Sequence, residues 1–334
     1  MVEKELALSP AVEAPAPRRD VRQRLFALLN RYSFAFALVL TVILLLIDLG
    51  QNHWSFSWQD ELANLAPMAI AAMATAPSII ALGFDFTISP LMFLTGGVFV
   101  VYLIPNGLGG GIAVPIVLAL GAAVGALQGG LVVGLRLPPV VVTLGLFFML
   151  DGIDTKIVPN PVSFSGNWVE SLATSIGPIP GPVFTIGLPI VTWFLLGRLP
   201  FMKMLYAIGS NPAAAYSSGI RVGATLIAAY TIGGVFAGVG GLAVAGLEHS
   251  INATLSGTYT LLAVAALALG GTSLSGGRGG LVGPLYGAAT IYLLGDVLSN
   301  LQVNPSWLQV MYGFMLVFAV VLQGRLALQR RNET

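Results

Sequence analysis

The sequence contains no cysteine, three lysines and only two histidines. Without cysteine, a thiolate nucleophile, a disulfide and a cysteine-ligated metal site are all excluded. No lysine follows a glycine, so the chain lacks the Gly-Lys-Ser/Thr loop that binds nucleotide phosphates and does not hydrolyse ATP by that route. Charge is scarce too, since Asp, Glu, Lys and Arg make up 9% of the 334 residues. Soluble domains carry about 25%, and the deficit excludes a soluble enzyme, a nucleic-acid-binding protein and a disordered chain.

The sequence is instead rich in apolar residues, which form 56% of the chain. Runs without any charged residue cover 62–84, 86–135, 171–197, 222–247, 249–277 and 297–324. A membrane helix needs about 20 such residues, so the longest run has room for two. The runs are apolar throughout and do not alternate every second residue, which argues against a β-barrel. We predict an all-α polytopic membrane protein of about ten transmembrane helices, centred near residues 41, 73, 95, 122, 148, 189, 234, 263, 288 and 315.

The positions of the basic residues predict the orientation of the chain. With ten helices and the N-terminus inside, all of the 15 basic residues except Lys156 fall in cytoplasmic segments. This is the distribution that the positive-inside rule requires. We therefore expect both termini in the cytoplasm, with a disordered basic tail at 1–31, a transmembrane domain at 32–324 and a short tail at 325–334.

Several glycines recur every four residues. Small residues at this spacing make a flat stripe on which a second membrane helix can approach closely. The pattern predicts a compact helical bundle and names no function. The three sets are Gly121, Gly125 and Gly129; Gly234 and Gly238; and Gly279, Gly283 and Gly287.

Acidic residues inside the membrane are costly and usually functional. Asp85, between the second and third predicted helices, is the one arguable pathway residue, although a solvated turn is an equal alternative. The other intramembrane candidates, Asp48, Asp151, Asp154 and Asp296, are placed toward the outer ends of their helices, where they would reach water. So few embedded acids count against a carrier driven by protons or sodium.

The long predicted cytoplasmic loop at 198–222 is unusual. Asn211 can cap a helix that has Pro212 at its first position. The alanines that follow, including Ala214, favour helix, and Gly219 ends it about two turns later. The segment predicts a short cytoplasmic helix, either docked by a soluble partner or serving as a plain amphipathic connector.

A second unusual segment is the glycine-rich stretch 270–280, GGTSLSGGRGG. Such a density of glycine breaks a helix and lets the backbone bend sharply. Its spacing fits neither nucleotide-binding fingerprint, so we expect a bend at the cytoplasmic boundary rather than a phosphate site. The predicted packing and hinge glycines are Gly270, Gly271, Gly276, Gly277, Gly279 and Gly283.

Three stretches carry a resemblance to a known family: PPVVVTLG at 138–145, the segment 207–220, and GGTSLSGGRGGLVGPLYGA at 270–288. Together they resemble the transmembrane permease subunits of bacterial ABC importers of the ribose, xylose and autoinducer-2 type, which are related to branched-chain amino acid permeases. The resemblance implies a permease dimer in the cytoplasmic (inner) membrane, cytoplasmic ATP-binding subunits and a periplasmic solute-binding protein. The chain itself is then not an enzyme, and no cofactor, metal or nucleic acid is expected.

The resemblance also assigns roles to residues. The segment 207–220 matches the coupling helix that docks on the ATPase, with Gly209, Asn211, Pro212, Ala214 and Gly219 at its key positions. Translocation by alternating access would then follow ATP hydrolysis on the partner chain. The solute is expected to be a pentose or a related sugar or polyol. Autoinducer-2, nucleosides and branched-chain amino acids remain alternatives, as does a stand-alone secondary transporter or channel.

One stretch departs from the family pattern. The family commonly has Gly-Gly-Ile-Asp-Leu-Ser where this chain has LGFDFT at 82–87. Gly83 and Asp85 match, and Thr87 replaces serine conservatively. Asp85 and Thr87, together with Thr143 in the first matched stretch, are the predicted residues of the translocation pathway. The two phenylalanines in this stretch put the familiar substrates in doubt.

Overall fold

The computed structural model describes residues 34–51 and 56–331, so the predicted tail at 1–31 and residues 332–334 lie outside it. The described chain is predominantly helical. Its helices are α1 (Ala35–Gln51), α2 (Trp58–Ile80), α3 (Ile88–Val98), α4 (Gly110–Leu135), α5 (Pro139–Ile157), α6 (Pro182–Gly197), α7 (Pro200–Ser210), α8 (Pro212–Ser217), α9 (Val222–Glu248), α10 (Ser256–Leu269), α11 (Val282–Asn300) and α12 (Pro305–Arg331).

A helix lies at each of the ten predicted positions. Within the described ranges, three helices are long and apolar enough to cross a membrane, namely α2, α4 and α9. Helices α6 and α7 meet at a bend of 90° and together could form a fourth span. The last helix runs to Arg331, so it continues past the predicted domain boundary at 324.

Helix α3 and helix α10 are too short to cross a bilayer alone. Helix α3 starts late, at Ile88, and continues as a π-helical turn over Phe99–Leu103. Helix α10 has 14 residues and is about 21 Å long, against a hydrocarbon thickness of about 30 Å. Together with α1, they are the shorter apolar helices of the described ranges.

Helix α9 lies at the centre of the fold, packed against α2, α3 and α4. The glycine stripes of α4 and α9 face one another, because a methyl group on Gly121 would overlap the carbonyl oxygen of Gly234, and one on Gly125 would overlap that of Tyr230. Such contact of backbones is how small residues stabilise membrane bundles. The predicted packing role of these two stripes is confirmed.

The third predicted stripe is only partly right. Gly283 and Gly287 lie on α11 against Gly270 and Ala266 at the end of α10. Gly279 is not on this helix, because α11 begins at Val282 and Gly279 is a loop residue with φ of +131°.

Extended backbone is confined to two short antiparallel pairs in the described chain. Strand β1 (Val162–Ser163) pairs with β4 (Ser250–Ile251), and β2 (Ser175–Ile176) pairs with β3 (Ile179–Pro180). The first pair ties the α5–α6 connection to the segment that follows α9. These connections lie at the end of the bundle where α2 begins and α9 ends.

Candidate functional site

The short helix predicted in the loop 198–222 is present as α8. The side-chain oxygen of Asn211 accepts a hydrogen bond from the backbone N–H of Ala214 at 3.0 Å, and Pro212 is the first helical residue. The helix ends two residues before Gly219, whose φ of +80° favours glycine. Tyr216 projects from α8 with 75% of its surface exposed. The structure thus confirms the local prediction, a capped two-turn helix that presents side chains to its surroundings.

A close three-way junction lies directly before this helix. Gly209, near the end of α7, is pressed between Ile80, the last residue of α2, and Gly277 of the glycine-rich segment. A methyl group on Gly209 would overlap both the carbonyl oxygen of Ile80 and the backbone nitrogen of Gly277. The N–H of Gly277 donates a hydrogen bond to the Ile80 oxygen at 2.8 Å. We call the contact of Ile80, Gly209 and Gly277 the glycine junction.

The glycine-rich segment is a compact turn rather than an open loop. Gly276 and Gly277 both have positive φ, at +74° and +72°, a conformation that other residues adopt at a cost. The N–H of Ser273 donates to the carbonyl of Arg278 at 3.1 Å. The hydroxyl of Tyr206 on α7 donates to the carbonyl of Gly279 at 2.7 Å. The predicted helix break is confirmed, and the segment is bound to α7 as well as to α2.

The chain leaving α2 turns back sharply to carry Asp85 into the protein. Leu82 has a φ of +65°, in the left-handed region that favours glycine, and it stands where the family pattern has glycine. Asp85 is 2% exposed and Thr87 is fully buried. The solvated-turn alternative for Asp85 is therefore wrong, because the segment 82–87 carries both side chains into the bundle.

Asp85 belongs to a buried polar cluster with Thr87 and Gln128. One Asp85 oxygen accepts hydrogen bonds from the Thr87 N–H at 2.9 Å and from the Thr87 hydroxyl at 2.7 Å. The Thr87 hydroxyl also lies within hydrogen-bond distance of the Gln128 side-chain oxygen, although it has one proton to give. The Gln128 nitrogen is buried without a partner. Exchanging the amide oxygen and nitrogen satisfies all three groups, with Gln128 donating to Thr87 and Thr87 donating to Asp85.

Thr143, the third predicted pathway residue, is not joined to this cluster by its hydroxyl. It is fully buried on α5, and its hydroxyl donates to the carbonyl of Val140 in its own helix at 3.4 Å. Its neighbour Leu144 lines a cavity of about 250 Å³. That cavity is apolar and is also bordered by Phe86, Phe147, Phe148 and Leu261. Phe86 connects this cavity to the polar cluster of Asp85, because it lies between Asp85 and Thr87 in the chain.

Two acids predicted to reach water are buried instead. Asp48 and Asp154 are 0% and 1% exposed, so the prediction is wrong for both. Asp48 lies with Glu61 and Asp296 in a group whose carboxylate oxygens are all within 4.8 Å of one another. Such oxygens are the ligand type of hard cations, but three acidic groups alone do not define a site. Asp296 could have been found as an isolated acid in the long apolar stretch 279–324, whereas Glu61 follows Asp60 directly and carries no such signal.

Comparisons with known proteins find relatives over most of the chain. Residues 58–320 match the family described as the permease component of branched-chain amino acid transport systems. The chain is 31% identical over 299 residues to the ribose import permease of Escherichia coli (strain K12), covering 86% of this chain and 92% of that protein. It is 27% identical over 299 residues to the fructose import permease of Rhizobium meliloti, covering 85% and 82% of the two chains.

A third relative is the permease of an autoinducer 2 import system from Enterobacter sp. (strain 638). The two sequences are 30% identical over 308 residues, covering 89% of this chain and 88% of the relative. No solved structure matches the chain.

Proposed function

This chain belongs to the family of permease components of branched-chain amino acid transport systems, and from that membership we propose that it is the membrane subunit of an ATP-driven importer for a small polar solute. Its relatives are import permeases for ribose, fructose and autoinducer 2, which supports a pentose or a related sugar or polyol as the solute. ATP is hydrolysed on a cytoplasmic partner, and a periplasmic solute-binding protein delivers the solute. Two copies of the permease, or a copy and a paralogue, enclose the pathway.

The proposed topology has ten membrane helices with both termini in the cytoplasm. The charge distribution supports it, since all basic residues but Lys156 fall on one side. The apolar cavity beside Leu144 and Phe148 lies about 8–14 Å along α5 from its start at Pro139, which is close to the midplane of a hydrocarbon layer about 30 Å thick.

The glycine junction is the observation that carries the proposal. The exposed helix α8 follows Gly209 directly, and Gly209 is in backbone contact with Ile80 at the end of α2. The segment 82–87, which carries Asp85, begins two residues after Ile80. A force applied to α8 by an ATPase would therefore reach the buried Asp85–Thr87–Gln128 cluster through rigid backbone contacts, without passing through a flexible side chain. Asp85, Thr87 and Thr143 would change their surroundings as the pathway switches sides.

Disrupting α8 tests the coupling role. We expect Asn211→Lys or Gly219→Trp to abolish stimulation of the partner ATPase by loaded binding protein, since the first removes the cap and the second forces a large side chain into left-handed backbone. Gly107→Trp is a matched control. Gly107 also has positive φ, at +68°, and a methyl group there would also have no atom within 4 Å, but this glycine lies before α4 at the other end of the bundle.

The measurement is ATP hydrolysis by the assembled complex, with membrane insertion checked by yield and gel filtration. Normal stimulation in the α8 variants would overturn the assignment. Loss of stimulation in the Gly107→Trp control as well would show that the effect is not specific to α8.

A further inference from the structure

A groove of about 330 Å³ lies on the flank of the bundle beside the glycine-rich turn. It is formed between the start of α1, α6, α7 and the start of α11. Its lining includes Phe34, Ile190, Trp193, Phe194, Tyr206 and the stretch 279–283. The groove is separate from the predicted pathway residues and from the apolar cavity beside Phe148. Ligand pockets begin at about 300 Å³, so the groove has room for a small polar group.

The groove opens sideways from the bundle, toward the lipid in the proposed topology. Phe194 stands at its rim and is 67% exposed. From there an apolar stripe continues along α6 through Val191, Leu188 and Phe184, which are all exposed. Their spacing of three or four residues places them on one side of the helix. A ligand with an acyl chain could therefore lie with its polar end in the groove and its chain along this stripe.

Two aromatic side chains with polar tips line the groove. Trp193 and Tyr206 are of the type that concentrates where a membrane meets water. The indole nitrogen of Trp193 would lie 3.9 Å from a methyl group on Gly280, so it faces the glycine wall of the groove. No described residue accepts a hydrogen bond from this nitrogen, which leaves its N–H for an acceptor on a ligand.

The walls of the groove are held in place by contacts of their own. The Tyr206 hydroxyl donates to the carbonyl of Gly279 at 2.7 Å, which fixes α7 against the glycine-rich turn. The rings of Phe34 and Tyr286 stack with their centroids 6.1 Å apart, which fixes the start of α1 against α11. A groove that is formed before its ligand arrives binds at a lower cost in ordering.

The charge around the groove is positive. Three basic residues lie next to a lining residue or within one helical turn of it, namely Arg198, Lys203 and Arg278. All three are exposed, and no described carboxylate forms an ion pair with them. The stretches 171–247 and 249–295, which supply all of the lining except Phe34, contain no acidic residue. The groove therefore attracts an anion and offers no partner to a positively charged group.

We propose that this groove binds the headgroup of an anionic phospholipid, with the phosphate at the Trp193 N–H and the basic residues and an acyl chain along α6. Clusters of Lys and Arg immediately cytoplasmic of a membrane helix are typical of binding to anionic lipids, and five arginines at 18–31 precede α1. That basic segment is itself a poor occupant of a positive groove. The proposal rests on the proposed topology, which places this end of the bundle at the cytoplasmic leaflet.

The test is native mass spectrometry of the purified permease in detergent, titrated with phosphatidylglycerol and with phosphatidylethanolamine of the same acyl chains. A basic residue near the headgroup strengthens binding of an anionic lipid about fivefold. We expect phosphatidylglycerol to bind more tightly, and Lys203→Gln combined with Arg278→Gln to weaken its binding about 25-fold. Arg221→Gln is the matched control, since Arg221 precedes α9 and does not border the groove.

A variant that fills the groove separates a built site from a general attraction to basic residues. Gly280→Leu places a side chain in the open space beside Trp193 and keeps every charge, so it should weaken binding of phosphatidylglycerol about tenfold. Gly130→Leu is its control, because a methyl group at Gly130 on α4 also meets no atom within 4 Å. Unfolding midpoints show that each variant is folded.

Equal affinity for the two lipids, unchanged binding of phosphatidylglycerol in the groove variants, or an equal loss in the controls would each overturn the proposal. Binding of inorganic phosphate as tight as that of the lipid would also overturn it and assign the groove to a free anion. The importer function is tested separately, by ATP-driven uptake in the complete assembly. Absence of uptake with the lipid preference intact would contradict the importer function and leave the lipid site standing.

Discussion

At the scale of single residues, Thr87 holds together the buried cluster on the proposed pathway. It provides both the N–H and the hydroxyl that Asp85 accepts, and it is the link to Gln128. Asp85 and Thr87 could be selected from the sequence because they stand in a short polar interruption between apolar runs. Gln128 could not, because it lies 41 residues further along the chain and only the packing of α4 brings it to Thr87.

Replacing Thr87 tests this cluster. Thr87→Val removes the hydroxyl but keeps the shape, and it leaves the Asp85 carboxyl and the Gln128 amide buried with fewer partners. Loss of a partner from a buried polar group costs about 1–3 kcal/mol, so we expect a lower thermal unfolding midpoint of the purified permease. Thr87→Ser keeps the hydroxyl and should unfold close to the parent. Equal midpoints for the valine and serine variants would show that the hydroxyl contributes nothing.

Gly209 is the second residue whose role depends on contacts that the sequence does not reveal. We expect Gly209→Ala to force the glycine junction apart, because its methyl group would overlap backbone atoms of Ile80 and Gly277 that cannot rotate away. Overpacking of this kind costs about 1–3 kcal/mol, and stimulated ATP hydrolysis should fall with it. Gly197→Ala is the control, since Gly197 ends α6 and has open space around it. The checks are the unfolding midpoint and the ATPase rate, and unchanged values for Gly209→Ala would contradict the junction.

At the scale of helices, position and periodicity are easier to predict from the sequence than length. Charge-free runs place a helix at each expected centre, because a membrane segment must be apolar over its whole length. The late start of α3 is not predictable from the sequence, since it depends on the segment 82–87 that precedes it. The shortness of α10 is not predictable either, since it depends on the strand and turn that follow α9. Spacing alone assigns Gly279 to a helix, whereas its backbone conformation belongs to the turn.

The contact between α4 and α9 gives a prediction with an internal control. Gly125→Ala places a methyl group against the carbonyl of Tyr230, whereas Gly130→Ala, little more than one turn further on, meets open space. The first should destabilise the bundle by about 1–3 kcal/mol. The second should be neutral or stabilising by about 0.5–1 kcal/mol, because alanine is the better helix former. Thermal unfolding in detergent measures both, and the reverse order of stability would refute this packing.

At the scale of the whole molecule, the fold brings together segments that are far apart in sequence. The segments 207–220 and 270–288 are recognisable independently in the sequence, and the structure joins them at the glycine junction. At the opposite end Asp48 is fully buried beside the partly buried Glu61 and Asp296, and its burial is not predicted from the sequence.

The measurement that tests the importer function most directly is uptake of radiolabelled D-ribose, D-fructose and D-galactose into proteoliposomes. We expect uptake of at least one sugar only when permease, partner ATPase, loaded binding protein and ATP are all present. Uptake should be lost in Gly219→Trp and retained in Gly107→Trp. Uptake by the permease alone under a proton or sodium gradient, or uptake without ATP, would contradict the proposal and identify a secondary carrier.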